Sequence, residues 1–180
     1  MHPEAYNAVG RMLAYSGINR EEPWDAIDVG GANWNGSARP HLPNARWWVL
    51  DMSPADNSTD WQTYEVGDAT TYRPEQPEDR FRHDVVLCTE LLEHVQNWPA
   101  VVETLAHLVK DDGFVMITCA STGRPIHGAT GGPVPLDGEW YGNIDAPDLE
   151  VELMKWFTDF KVDYQWPPGD AYAFARSPIR

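Results

Sequence analysis

A glycine pair set between two apolar runs constrains this chain more than any other feature. Residues 26–37 read Ala-Ile-Asp-Val-Gly-Gly-Ala-Asn-Trp-Asn-Gly-Ser, and after a polar stretch Arg46-Trp-Trp-Val-Leu-Asp51 follows. A short apolar run entering glycines reads as a buried strand feeding a tight turn, and the second run as its neighbour. This is the layout of the first half-unit of a nucleotide-binding α/β sheet. There the glycines let the backbone approach the ligand, and an acid ending the second strand accepts hydrogen bonds from ribose hydroxyls. Asp28 and Asp51 stand close to the ~20 residues apart that such a unit needs.

The rest of the chain continues the alternation. Residues 1–16 have helical spacing, with Tyr6, Val9, Met12 and Leu13 on one face and Gly17 as a stop. Strands are predicted over 26–29, 46–50, 61–66, 84–89 and 114–119. Ser37 is placed to cap a short segment that Pro40 and Pro43 limit. A helix is predicted to start at Glu90, and a longer one follows, with Asn97 as cap and Val101, Val102, Leu105 and Leu108 as its apolar stripe. Asp111-Asp112-Gly113 reads as a turn. Residues 149–157 read as a helix, with Leu149, Leu153, Trp156 and Phe157 inward. Strands over 160–166 and 171–175, joined by Pro167-Pro168-Gly169-Asp170, are expected to pair antiparallel. The expected fold is therefore α/β, a Rossmann-like doubly wound sheet of seven strands, mostly parallel, closed by an antiparallel hairpin. One domain of 180 residues is expected: an N-terminal helix and loop over 1–25 (a possible lid, with Tyr6 facing inward), a core over 26–119, a variable loop over 120–148, and a closing helix and hairpin over 149–180.

Charge and composition exclude several functions. A formal net charge of −15 repels phosphate backbones, which disfavours nucleic acid as a partner. Cys88 and Cys119 have neither disulfide-framework nor zinc spacing and read as core residues of a cytoplasmic protein. No run approaches the ~18 apolar residues of a membrane span, and no secretory signal is visible. The oligomeric state is not encoded in any feature of this kind.

Five blocks, in order, resemble class I S-adenosylmethionine-dependent methyltransferases of the small-molecule branch. They are Asp28-Val-Gly-Gly-Ala-Asn33, Val49-Leu-Asp51-Met52, Val66-Gly-Asp68-Ala69-Thr70, Asp84-Val-Val-Leu-Cys-Thr-Glu90-Leu-Leu-Glu93-His94-Val95 and Leu108-Val-Lys-Asp-Asp-Gly113-Phe-Val-Met-Ile117. The match covers about half the chain. Trp34 departs from it, standing where the family has a loop glycine, so that the loop must bulge or Gly36 must serve instead.

The resemblance implies S-adenosylmethionine as cofactor and a set of contacts for it. Asp28, with Gly30, Gly31, Ala32 and Asn33, would hold the amino-acid end. Asp51 would take the ribose, and Asp68 the adenine amino group, with Met52 and Ala69 flanking the ring. Thr89 and Glu90 complete the strand-end set. The acceptor is expected to be an oxygen or nitrogen of a small molecule, stacking on Trp140 and Tyr141, with His94 or His127 as base.

If Glu90 opened a helix, Glu90, Glu93 and His94 would share one face and offer metal ligands, with His127 as a later one. That triplet resembles the metal-binding one of some quinone-biosynthesis O-methyltransferases and of small-RNA 2′-O-methyltransferases. The plain alternative, acids favoured by a helix N-terminus, leaves the expected metal set empty. Two further alternatives are a nicotinamide-dependent oxidoreductase, which the antiparallel end argues against, and a methyltransferase-like module that has lost its chemistry.

Overall fold

The structure, a computed structural model, describes residues 1–33, 35–54, 61–73 and 82–180. Helix α1 (Pro3–Ser16) precedes β1 (Asp25–Val29), β2 (Arg46–Asp51), β3 (Thr63–Val66) and β4 (His83–Thr89). Then come α2 (Trp98–Leu108), β5 (Val109–Ala120), α3 (Ala146–Trp156), β6 (Phe157–Gln165) and β7 (Asp170–Pro178). The seven strands form one sheet in the order β3-β2-β1-β4-β5-β7-β6. Strands β1 to β5 pair in parallel, and β7 enters antiparallel between β5 and β6. Chain order reverses between β1 and β4. That crossover leaves a crevice at the C-terminal strand ends, the usual ligand site of such sheets.

Alternation along the strands builds two cores. On one face Ile27, Val29, Val86, Cys88, Val115 and Ile117 pack with Val101, Val102 and Leu105 of α2 and Leu149 and Leu153 of α3. On the other, Ala26, Val85, Leu87, Met116 and Phe174 pack beneath Val9, Met12 and Leu13 of α1. The period of two that puts Val86 and Cys88 on one face and Val85 and Leu87 on the other is what a doubly covered parallel strand requires. Gly17 ends α1 in the left-handed conformation, its amide donating to Ala14. Cys88 and Cys119 are free and fully buried, and burial drives both thiols upward in pKa. Among the described residues no helix is long and apolar enough to cross a membrane.

Three local expectations need correction. No helix begins at Glu90: that residue takes φ +55°, and the chain makes only one 3-10 turn, Leu92–His94. A left-handed residue cannot open a right-handed helix, so Glu90, Glu93 and His94 do not share a helical face. Asp111-Asp112-Gly113 lies inside β5 rather than before it. Along β4 the register moves from His83 to Val85 while β5 moves from Val109 to Phe114, so the extra residues bulge outward from a continuing strand. Asn97 occupies the N-cap of α2, but its side chain makes no capping bond; its carbonyl accepts from Ala100 instead. The proline-limited segment is indeed short, a single turn over Arg39–His41, and Ser37 Oγ accepts from the Arg39 amide.

Candidate functional site

The ends of β1 and β4 open into a cavity of about 330 Å³ at the crossover. Asp28, Gly30, Gly31, Asn33, Gly36 and Ser37 supply one side, Thr89, Glu90 and His94 the floor, and Met1, His2, Arg124, His127 and Gly128 the far walls.

The first side is built around a buried ion pair. Asp28 and Arg39 are each 2 % exposed, and Arg39 Nη1 donates to Asp28 Oδ2 at 2.9 Å and to the Gly31 carbonyl at 2.8 Å. Ser37 Oγ donates to the same Oδ2 at 3.3 Å. The other oxygen, Oδ1, is buried and has no partner. A side chain on Gly31 would place its Cβ 2.6 Å from Asp28 Cγ, so the glycine is what lets the carboxylate fold beneath the turn. Gly30 takes φ +78° and its amide donates to the Leu50 carbonyl, tying the turn to β2. Burial raises the Asp28 carboxyl above its usual range against the pull of Arg39 and Ser37, and Asp51 adds to the rise.

Asp51 and Asp68 sit differently. Asp51 accepts from the amides of Ala32 at 3.0 Å and Ser53 at 2.8 Å. Asp68 is exposed and accepts from the Thr70 amide and hydroxyl, both at 2.8 Å. Met52 is 71 % exposed and Ala69 is buried. None of these four lines the cavity, whereas Asp28 does; Asp51 joins its rim through Ala32. Trp34 lies outside the described residues, while its neighbours Asn33 and Gly36 both take positive φ.

Beyond Thr89 the floor carries a second set of groups. Glu93 is fully buried and neither carboxylate oxygen has a partner; burial, with Glu90 nearby, drives its pKa well up. His127 Nε2 stands 4.0 Å from Glu93 Oε1, and His127 Nδ1 lies 3.1 Å from the Pro125 carbonyl. His94 and His127 meet edge-on with centroids 5.1 Å apart, and Tyr141 closes the cluster at 5.4 Å from His94 and 4.8 Å from His127. Burial and His127 push His94 down to about 4, so it is a neutral imidazole near pH 7. Glu93, His94 and His127 each present an atom within 4.8 Å of the others, a set able to hold a metal ion. Trp140 folds its ring against Gly142, and neither it nor Tyr141 reaches the cavity lining. Tyr6, expected inward, stacks on His41 at 4.0 Å; the N-terminal residues that do line the cavity are Met1 and His2.

Sequence reasoning missed Arg39, Arg124 and His2. The first had a signal, a lone cation in the loop after Asp28; the other two had none.

A family profile described as a methyltransferase domain matches residues 10–162. No curated protein matches the sequence. Among solved structures the chain resembles the 1,6-didemethyltoxoflavin N1-methyltransferase of Burkholderia thailandensis, bound to 1,6-didemethyltoxoflavin and S-adenosylhomocysteine. That likeness has a TM-score of 0.68 and 17 % identity over 97 % of this chain and 79 % of that one. It also resembles DhpI in complex with SAH (TM-score 0.63, 18 % identity, 99 % and 88 % covered). A third is the N-methyltransferase NodS of Bradyrhizobium japonicum WM9 with S-adenosylhomocysteine (0.62, 15 %, 98 % and 87 %). At these identities the likeness is one of fold.

Proposed function

The chain belongs to the methyltransferase domain family, and from that premise we propose that it moves a methyl group from S-adenosylmethionine to an oxygen or nitrogen of a small molecule. The observation that carries this reading is the unpartnered, buried Asp28 Oδ1 in a cavity at the strand crossover. A buried carboxylate oxygen left bare is costly unless a donor arrives, and an amino-acid ammonium is such a donor. The residues present therefore fit the cofactor's amino-acid end: Asp28 for the ammonium, Gly30 and Gly31 for close backbone approach. Asp51 and Asp68 would hold the ribose and adenine with lone pairs their turn amides leave free.

S-Adenosylmethionine supplies a methyl group already activated on sulfur, so the protein's work is mainly alignment and dehydration. Neutral His94 accepts a hydrogen bond from an acceptor O–H or N–H and orients its lone pair. His127 is less suited as base, since Nδ1 lies against Pro125 and Nε2 faces Glu93. Tyr141 backs both imidazoles and so shapes the acceptor wall from behind. The net charge of −15 supports a small acceptor over a polynucleotide.

The convergence of Glu93, His94 and His127 favours a second reading, methyl transfer assisted by a divalent ion on those three groups. Two measurements test the pair. Isothermal titration should show heat with S-adenosylhomocysteine and none with NAD; the reverse overturns the assignment. If a chelator abolishes turnover and added Mg²⁺ or Zn²⁺ restores it, the metal reading holds, and if turnover is indifferent it falls.

A further inference from the structure

Two walls of the cavity do not belong to the sheet. One is the N-terminal segment, contributing Met1 and His2; the other is the start of the long loop after β5, contributing Arg124 and His127. Both are fastened to the same pair of carboxylates. Glu90 follows β4 directly, and Asp170 is the first residue of β7. His2 Nε2 lies 2.9 Å from Asp170 Oδ2 and 3.2 Å from Glu90 Oε2. Arg124 donates from Nη1 to Asp170 Oδ1 at 3.2 Å, and its Nη2 stands 4.0 Å from Glu90 Oε2.

The carboxylates are themselves rigidly held. Asp170 is fully buried and accepts from the Tyr172 hydroxyl at 2.9 Å. Thr118 Oγ1 donates to Glu90 Oε1 at 3.0 Å, and the Glu90 amide donates to the Thr118 carbonyl at 2.7 Å. Two anions and two cations thus form a closed square across the strand ends. Neither carboxylate is cheap to bury alone, so the sheet needs a cation from each wall. The helix above His2 is anchored separately, through Ala5, Ala8 and Val9, which leaves His2 as the tie between the segment before α1 and the cavity rim.

We propose that Glu90 and Asp170 are positioning residues that clasp both free-standing walls of the cavity, the N-terminal segment through His2 and the long loop through Arg124, and so set how readily a ligand enters and leaves. This rests on the cavity being the methyltransferase site. His2 is well suited to the part: although burial opposes its charge, bonds to Asp170, Glu90 and Glu4 raise it to about 10, so it is a cation throughout the physiological range.

Stopped-flow tryptophan fluorescence with S-adenosylhomocysteine as probe tests the clasp. In His2→Ala the association and dissociation rate constants should both rise at least threefold while their ratio shifts by less than twofold, because a gate changes passage in both directions. Unchanged rates overturn the proposal. So does a rise in dissociation alone, which would make His2 an ordinary ligand contact. Hydrogen exchange on the ligand-free protein supplies a second arm. Amides of residues 4–8 should quicken in His2→Ala, and those of 4–8 and 121–131 together in Asp170→Asn. If wild type binds no S-adenosylhomocysteine, the functional assignment fails, and the exchange pattern alone decides the clasp: unchanged amides in both variants overturn it.

Discussion

The two halves of the crossover site are built on opposite principles. On the Asp28 side a carboxylate is sunk beneath a glycine turn, paired with Arg39, and left with one bare oxygen. On the Asp51 and Asp68 side the carboxylates lie nearer solvent and are satisfied by amides of their own turns, Ser53 and Thr70, with Ala32 reaching Asp51 from across the crevice. The first half is preorganised at a cost to folding; the second is inexpensive to fold and gains its ligand contacts without relieving any strain. Binding at the first half should be the more sensitive to a single atom, and the second the more tolerant.

Substitutions can break that contrast, beginning with the largest effect. Arg39→Ala leaves Asp28 buried and unpaired, and should cost about 3–5 kcal/mol of stability in urea unfolding. Asp51→Ala should leave the urea midpoint nearly unchanged and weaken S-adenosylhomocysteine binding by roughly 1.5–3 kcal/mol, read by isothermal titration. If Arg39→Ala proves no more destabilising than Asp51→Ala, the two halves are not built differently. Asp68→Ala, at an exposed turn, should weaken the same binding by only about 0.5–1.5 kcal/mol.

A pH series sharpens the comparison further. The Asp28 carboxyl is raised by burial, so it takes up a proton at a pH above the ordinary carboxylate range as the solution is acidified. The neutral acid no longer attracts an ammonium, and affinity for S-adenosylhomocysteine should begin to fall there. In Asp28→Asn that limb of the profile should be missing and affinity low throughout. Because the folded value lies above the unfolded one, protonation favours the folded state, so stability should hold while affinity falls. A parallel loss of both would place the titrating group elsewhere.

The fold was legible because burial on both faces leaves little choice of residue. Val85 to Cys88 can satisfy two cores only as a central strand, and the Pro167-Pro168-Gly169 junction forces the chain back on itself. The Asp28 turn was legible for a local reason, since Gly31 is demanded by a carboxylate three residues away. The rest of the site was not. The Glu90 turn looks helical by spacing, and only tertiary bonds to Thr118 reveal its left-handed backbone. Among 28 acidic residues nothing marks Asp170 as the partner of His2, because their meeting depends on where β7 inserts. Glu93 and His127 converge through a loop whose course no periodicity encodes.

The insertion of β7 between β5 and β6 also bears on how this chain emerges during synthesis. Strand β6 is made first yet touches the sheet only through β7, so a nascent chain ending before Asp170 carries an orphan strand and an open flank on β5. Until the hairpin turns back, that flank is the exposed edge most open to pairing with another nascent chain.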